Sequence, residues 1–464
     1  MKFGEYLESC IREKNISING LTKITGINRG GFYNVFKGKR NLKEDKLFSI
    51  FDNVGFSKKQ EQILTELYFS EFFGENNFDK VIGLIKLLNN IDLKPKTINT
   101  NMCRFNKKFC LTEKKEIYSA INFILEDSND STIITNFNYN DNRIDNLFYT
   151  YVKNGNPERF IHVLNFHNFF ELRNLEVIFY SLKYMYCGCF PVYKYENKND
   201  QVFPFFIVSK DYALLFNDID AIFLDDVQAV KNISCKAEKM AKDCNVLGSI
   251  SNDIMYIKDL YIKGFQKESG GDNERLIFSS YPCIAPWADF ELMEYVTRSE
   301  LPDKEYLVNI ANYHYESLYI KDNYISFFSL TGLERFVETG NVKEIPGEYI
   351  RNLNKKFRLQ VLNGILEDIR NEKVYIFNDE KFVINNDIDI ECCSNQLLFG
   401  AFDSDKENFF SYDKFLVKIN ELDIINIFRM LKEYLIRGRL VYSKMHSEII
   451  VQNLIVKLKN MNIE

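Results

Sequence analysis

Apolar residues recur at helical spacing through the first ninety positions. Phe3, Leu7 and Ile11 fall every four residues in a segment reaching Lys14, which predicts a first helix with one buried face. Ser17 stands as an N-cap before Ile18 to Thr25, and Gly26 closes that second helix. Asn28 caps a third, Arg29 to Lys37, which stops at Gly38. A fourth, Lys43 to Asn53, places Leu47, Ile50, Phe51 and Val54 on its apolar side. A fifth begins after Ser57 and continues through Ile63, Leu64, Leu67 and Phe72. In a sixth, Phe78 to about Leu93, the inward positions are Val81, Ile82, Ile85 and Leu88. Pro95 to Lys108 is polar and basic and reads as a linker or long turn.

The pattern then changes. Residues 110 to 190 read mainly as helices, for example Glu113 to Glu126 and Glu158 to Phe170. From residue 200 the apolar runs shorten, become aromatic or β-branched, and are separated by Asp and Asn turns, which predicts strands. These are Val202 to Val208, Ala213 to Phe216, Ala221 to Leu224, Arg275 to Ser279, Ser317 to Ile320, Ile325 to Phe328, Val374 to Phe377, Ile388 to Cys392 and Leu397 to Phe402. Helices are expected between them at Val227 to Lys242, Ala288 to Thr297, Ile350 to Ile369, Phe415 to Ile436 and Glu448 to Leu458. Residues 205 to 244 and 395 to 436 loosely echo one another as strand, acidic turn, strand and helix, a pattern compatible with two copies of one unit at a residue identity too low to assert it. The expected organisation is an all-α N-terminal domain (1–72), a helical connector and linker (73–109), a mainly helical region (110–200) and an α+β region (201–464).

Charge sharpens this division. Residues 14 to 43 carry seven basic side chains and no acid, although the 464-residue chain has a formal net charge of −6. Residues 1 to 60 hold 12 Lys and Arg against 6 Asp and Glu. Such a concentration of positive charge suits a polyanion, with DNA the leading candidate. Composition is that of an ordinary soluble protein, at 46% hydrophobic and 27% charged. The 41 Phe and 27 Tyr accompany abundant Asn, Ile and Lys, a bias that an AT-rich genome also produces. No apolar run suits a membrane span and no signal segment opens the chain, so a cytoplasmic location is expected. Ten scattered cysteines fit that location better than a disulfide framework.

The stretch I-R-E-K-N-I-S-I-N-G-L-T-K-I-T-G-I-N-R-G-G-F-Y-N-V-F-K-G-K-R-N-L, from Ile11 to Leu42, resembles the Cro- and phage-repressor-like helix-turn-helix family, also called the xenobiotic-response-element family. Leu21 and Ile24 hold the second helix, Gly26 occupies the turn, and Gly38, Lys39, Arg40 and Leu42 match the family's exit from the third helix. The resemblance covers about 12% of the chain and extends through Leu47, Ile50 and Gly55. It implies that the third helix enters the major groove of double-stranded DNA, in a homodimer on two half-sites. Phe32, Val35 and Phe36 would then face the core. The residues expected at DNA are Lys23, Asn28, Arg29, Gly30, Tyr33, Asn34, Lys37, Lys39, Arg40 and Lys43. Arg and Asn suit bidentate contacts to guanine and adenine edges, and the basic residues beyond the helix suit phosphates. Three features depart from the family: Ile18 where a polar residue is usual, Thr22 where a small Ala is usual, and the Gly30–Gly31 pair. That pair would cost a free helix up to ~2 kcal/mol relative to alanine.

No comparable chemistry appears elsewhere. Cys187 and Cys189 lack the second pair or nearby histidines that zinc requires, and Cys392 and Cys393 are adjacent on an expected strand. His162 and His167 are five apart, and His314 and His446 are the only other histidines. Ser269 to Asp272 is glycine-rich but lacks the Lys-Ser/Thr of a phosphate-cradling loop. Asp218, Asp220, Asp225 and Asp226 read as a solvated acidic turn. The expectation is therefore a sequence-specific DNA-binding transcriptional regulator, not an enzyme, with no metal or cofactor, in which the residues beyond 110 sense a small-molecule or peptide effector or mediate dimerisation. Two alternatives stand beside it. One is a peptide-pheromone-receptor-type regulator with a helical-repeat body, and the other is a DNA-targeted enzyme such as a metal-dependent nuclease.

Overall fold

The computed structural model describes residues 1–90, 105–128, 131–137, 142–153, 160–167, 174, 177–178, 181, 190–196, 203–247, 250–251, 274–301, 304–305, 308–309, 323–342, 350–384, 388–393, 397–401, 415–419 and 422–461. Cys103, Cys187, Cys189, His314, the Ser269 to Asp272 segment and the strand expected at Ser317 to Ile320 lie outside them. The chain divides into two compact units. A head unites Met1–Ile85 with Ile427–Val441, and a body unites Lys86–Asn426 with Tyr442–Glu464.

Six helices open the head: α1 Phe3–Glu13, α2 Ile18–Thr25, α3 Arg29–Phe36, α4 Glu44–Val54, α5 Lys58–Phe73 and α6 Glu75–Asn90, of which α6 belongs to the head through Ile85. Their limits follow local chemistry. Ser17 Oγ accepts from the Gly20 amide at 3.1 Å, and Asn28 Oδ1 accepts from the Gly31 amide at 2.7 Å. Ser57 and Gln60 exchange hydrogen bonds in a capping box at the start of α5. Gly26 and Gly38 close α2 and α3 with φ of 71° and 64°, in the left-handed region that glycine tolerates. Gly4 lets α1 lie against the end of α3, since a β-carbon there would sit 2.2 Å from the Val35 carbonyl oxygen.

The body contains two sheets. In the first, the order is β1 (Cys110–Leu111), β7 (Ala221–Leu224), β6 (Ala213–Phe216), β5 (Phe205–Val208), β2 (Ile133–Thr135), β3 (Phe160–His167), β4 (Phe190–Glu196) and β8 (Asn245–Val246). In the second it is β9 (Ile250–Ser251), β15 (Phe415–Ile419), β14 (Leu397–Ala401), β13 (Ile388–Cys392), β10 (Glu274–Ser279), β11 (Asn323–Ser329) and β12 (Val374–Phe377). The two orders correspond over seven strands, and β8 is an eighth strand of the first sheet. Three parallel strands, β2-β3-β4 or β10-β11-β12, meet an antiparallel meander, β5-β6-β7 or β13-β14-β15. Each meander starts antiparallel to the first parallel strand, and its last strand takes an antiparallel partner, β1 or β9. A helix follows each meander: α9 (Val227–Lys242) or α13 (Leu422–Arg437). The chain then returns to the far edge, as β8 on β4 in one copy and through the Tyr442 amide, which donates to the Ile376 carbonyl at 2.9 Å, in the other. The body thus repeats one seven-strand order, and the echo between 205–244 and 395–436 falls on its meanders and the helices after them, although the range from 395 begins one strand later than that from 205.

Between these strands lie α7 (Lys114–Asp127), α8 (Asn142–Lys153), α10 (Phe290–Val296), α11 (Leu330–Thr339) and α12 (Lys355–Arg370), and α14 (Lys444–Asn460) follows. One apolar cluster packs α11, α12 and α14 against β12, through Leu333, Phe336, Val361, Ile365, Val451 and Ile376 among others. A smaller one seats α9, by Ala237 and Ala241, on Ile134, Ile161, Val163 and Val192 of the first sheet.

Several expectations are corrected. Glu158 to Phe170 is not a helix, because Phe160–His167 is β3. Parallel neighbours flank it on both sides, and residues 160 to 164 are buried without alternation, so the strand period is invisible. The region 110–200 is accordingly mixed, with four strands among its described residues. Its strands share a sheet with strands beyond 201, so no domain boundary falls there. Phe415 to Ile436 is a strand followed by a helix, and the strand expected from Val202 starts at Phe205. The head is also discontinuous rather than ending at residue 72. Two mixed sheets take the place of the helical-repeat body considered as an alternative. Among the described residues no helix is long and apolar enough to cross a membrane.

Candidate nucleic-acid interface

Helix α3 has one buried and one exposed side. Phe32, Val35 and Phe36 are buried, while Arg29, Gly30, Tyr33 and Asn34 are exposed. Lys23 at the end of α2, Asn28 at the cap, and Lys37, Lys39, Arg40 and Lys43 after α3 are exposed as well. All ten residues singled out in the sequence therefore reach solvent from two short helices and their flanking turns. At 1.5 Å per residue, α3 is about 12 Å long, which fits the width of a major groove.

Within this group the roles differ. The Asn28 amide oxygen is engaged by the Gly31 amide, so its part is to hold the start of α3. Gly31 is needed for packing, since a β-carbon there would lie 2.7 Å from Ile27 Cγ2. Gly30 has no such reason: the nearest atom to its would-be β-carbon is Asn28 Oδ1 at 3.8 Å. The turn after α3 is tied down at its start, where the Lys39 and Arg40 amides donate to the Asn34 carbonyl at 2.8 and 3.2 Å.

The other end of that turn depends on residues that sequence reasoning did not single out. The Tyr68 hydroxyl donates to the Leu42 carbonyl at 2.9 Å, and burial pushes that phenol above its ordinary range. Arg437 donates to Glu44 in the first turn of α4, and its guanidinium carbon lies 4.0 Å from the centre of the Phe72 ring. The hydrogen bond to Glu44 raises the Arg437 pKa. Arg439 pairs with Asp52 at 3.0 Å and lies over Phe48. Tyr434 meets Phe69 and Phe78 edge-on, each at 5.1 Å. The segment Ile427–Val441 holds four basic residues and one acid, so it adds to the positive balance of the head.

Elsewhere the weaker candidates take ordinary places. His162 is buried and its Nε2 lies 2.8 Å from the Phe137 carbonyl oxygen. Cys392 is buried and its neighbour Cys393 is partly exposed. Asp226 caps α9 by accepting from the Ala229 amide. Among the described residues no group of three or more His, Cys, Asp or Glu is placed to hold a metal ion.

No family model matches the chain, and no curated protein does. Solved structures similar to parts of it include TrmBL2, described as an archaeal chromatin protein with a novel mode of DNA binding. That match has 12% identity over 49% of this chain and 87% of that one, with a TM-score of 0.21. Polyphosphate kinase from Porphyromonas gingivalis is 11% identical over 76% of this chain and 53% of that one, with a TM-score of 0.21. Phosphatidylserine synthase of Haemophilus influenzae is 10% identical over 82% and 97%, with a TM-score of 0.23. At such TM-scores none of them lends this chain a fold or a function.

Proposed function

We propose that the protein is a sequence-specific DNA-binding transcriptional regulator. In this reading the head contacts double-stranded DNA, while the duplicated body carries the effector response or the contacts of a homodimer. The observation that supports it most is the common exposure of Arg29, Tyr33, Asn34 and Lys37 on α3 beside the basic turn Lys39–Arg40–Lys43. Base edges would be read from α3, and phosphates would be held from the turn. One such module makes few contacts, so high specificity calls for two of them on a symmetric site.

The test is selection of fragments from the DNA upstream of its own gene, with competitor DNA present. The wild-type chain should retain one site, and an Arg29/Asn34/Lys37 triple alanine variant should lose that preference while remaining folded. Equal retention by both proteins would remove α3 from the interface. Chelator-sensitive cleavage of the same DNA would favour the enzyme alternative.

A further inference from the structure

The basic turn is held at three places. Asn34 takes the amides at its start, Tyr68 takes the Leu42 carbonyl, and Arg437 takes Glu44 immediately after Lys43. Lys43 is itself the N-cap residue of α4, and its carbonyl accepts from the Lys46 and Leu47 amides, each at 3.0 Å. Loss of the Arg437 contact would release the Glu44 side chain beside Lys43, in the first turn of α4. Glu44 also has an electrostatic consequence. A carboxylate next to a phosphate-facing lysine repels DNA unless a cation cancels it. Among the described residues Arg437 forms the ion pair with Glu44, and both side chains are about a quarter exposed.

Helix α13, which carries Arg437, has a wide buried face. Its counterpart in the first copy, α9, buries Val230, Ala237 and Ala241 and exposes most of the rest. In α13, Ile424, Ile425, Ile427, Phe428, Leu431, Tyr434 and Leu435 are all buried. Its Ile427–Arg437 portion belongs to the head, whereas all of α9 belongs to the body.

We propose that Arg437 is a positioning residue for DNA binding, fixing the Lys43 end of the basic turn and cancelling the charge of Glu44. The proposal rests on the reading that the head binds DNA. In the full chain, Arg437→Ala and Lys43→Ala should each lower affinity about tenfold. The log–log salt slope should become shallower by about 0.9, the equivalent of one phosphate. The double variant should lose no more than either single one. Amide exchange at Lys46 and Leu47 should quicken in Arg437→Ala.

Arg437→Lys should recover most of the affinity. Arg437→Gln, which keeps part of the stem but removes the charge, should repeat the loss in a protein whose melting is little changed. Adding Glu44→Gln to Arg437→Gln should restore part of the binding by removing the uncancelled charge. Unchanged affinity and slope in a folded Arg437→Ala protein would overturn the positioning role alone. Losses that multiply with those of Lys43→Ala would overturn it too, because Arg437 would then touch phosphate directly. A wild type that binds no DNA would remove the functional reading and this proposal together.

Discussion

Single residues in this protein carry effects that can be separated by experiment. Gly30 and Gly31 are neighbours in sequence but not in role. Alanine at 31 would press on Ile27 and should destabilise the head, whereas alanine at 30 meets only an ordinary contact with Asn28 Oδ1 and should stabilise it by up to ~1 kcal/mol. Thermal melts of the two variants would show shifts of opposite sign. Where α3 approaches DNA, Gly30→Ala should weaken binding even as it raises the melting temperature. His162 supplies a pH signature in the body. Burial lowers its pKa to about 4, partly offset by its hydrogen bond to the Phe137 carbonyl. The folded state keeps the imidazole neutral while the unfolded chain takes up a proton below about 6.5. Stability is thus intact above that pH and falls by about 3 kcal/mol as the pH drops to 4. Urea midpoints followed across that window should fall less steeply in His162→Gln than in the wild type.

Among the elements, α11 shows how one side chain can complete another helix. Arg358 from α12 is buried and donates to the carbonyls of Val337, Glu338 and Thr339 at the end of α11, and to that of Leu353. A lysine there cannot reach four acceptors, so Arg358→Lys should cost about 2 to 4 kcal/mol, read as a lower urea midpoint. Helix limits of this kind were legible where they are set locally. Ser17, Asn28, Gly26 and Gly38 marked α2 and α3 within a residue, and Val374–Phe377 and Ile388–Cys392 coincide with the expected strands. Strands flanked on both sides were not legible, as β3 shows, because burial on two faces erases the period of two. The exposed residues of α3 could be named from spacing and charge. Arg437 could not, since its partner Glu44 lies 393 residues away along the chain.

For the whole molecule, the discontinuous head has a direct consequence. Residues 1–90 alone would leave Phe69 and Phe78 without Tyr434, exposing rings that are now buried. Such a fragment should melt without a cooperative transition, and joining residues 427–441 to it through a flexible linker should restore one. Full cooperativity in the fragment by itself would show that the second segment is dispensable. The duplicated body follows the same economy, with one strand order used twice and its closing helix put to two uses. A salt series on the full wild-type chain tests whether the basic head meets DNA. A log–log slope of about −5 on its selected site, the value for roughly six phosphates, is the predicted result. Affinity that is absent at low salt, or that does not change with salt, would contradict it.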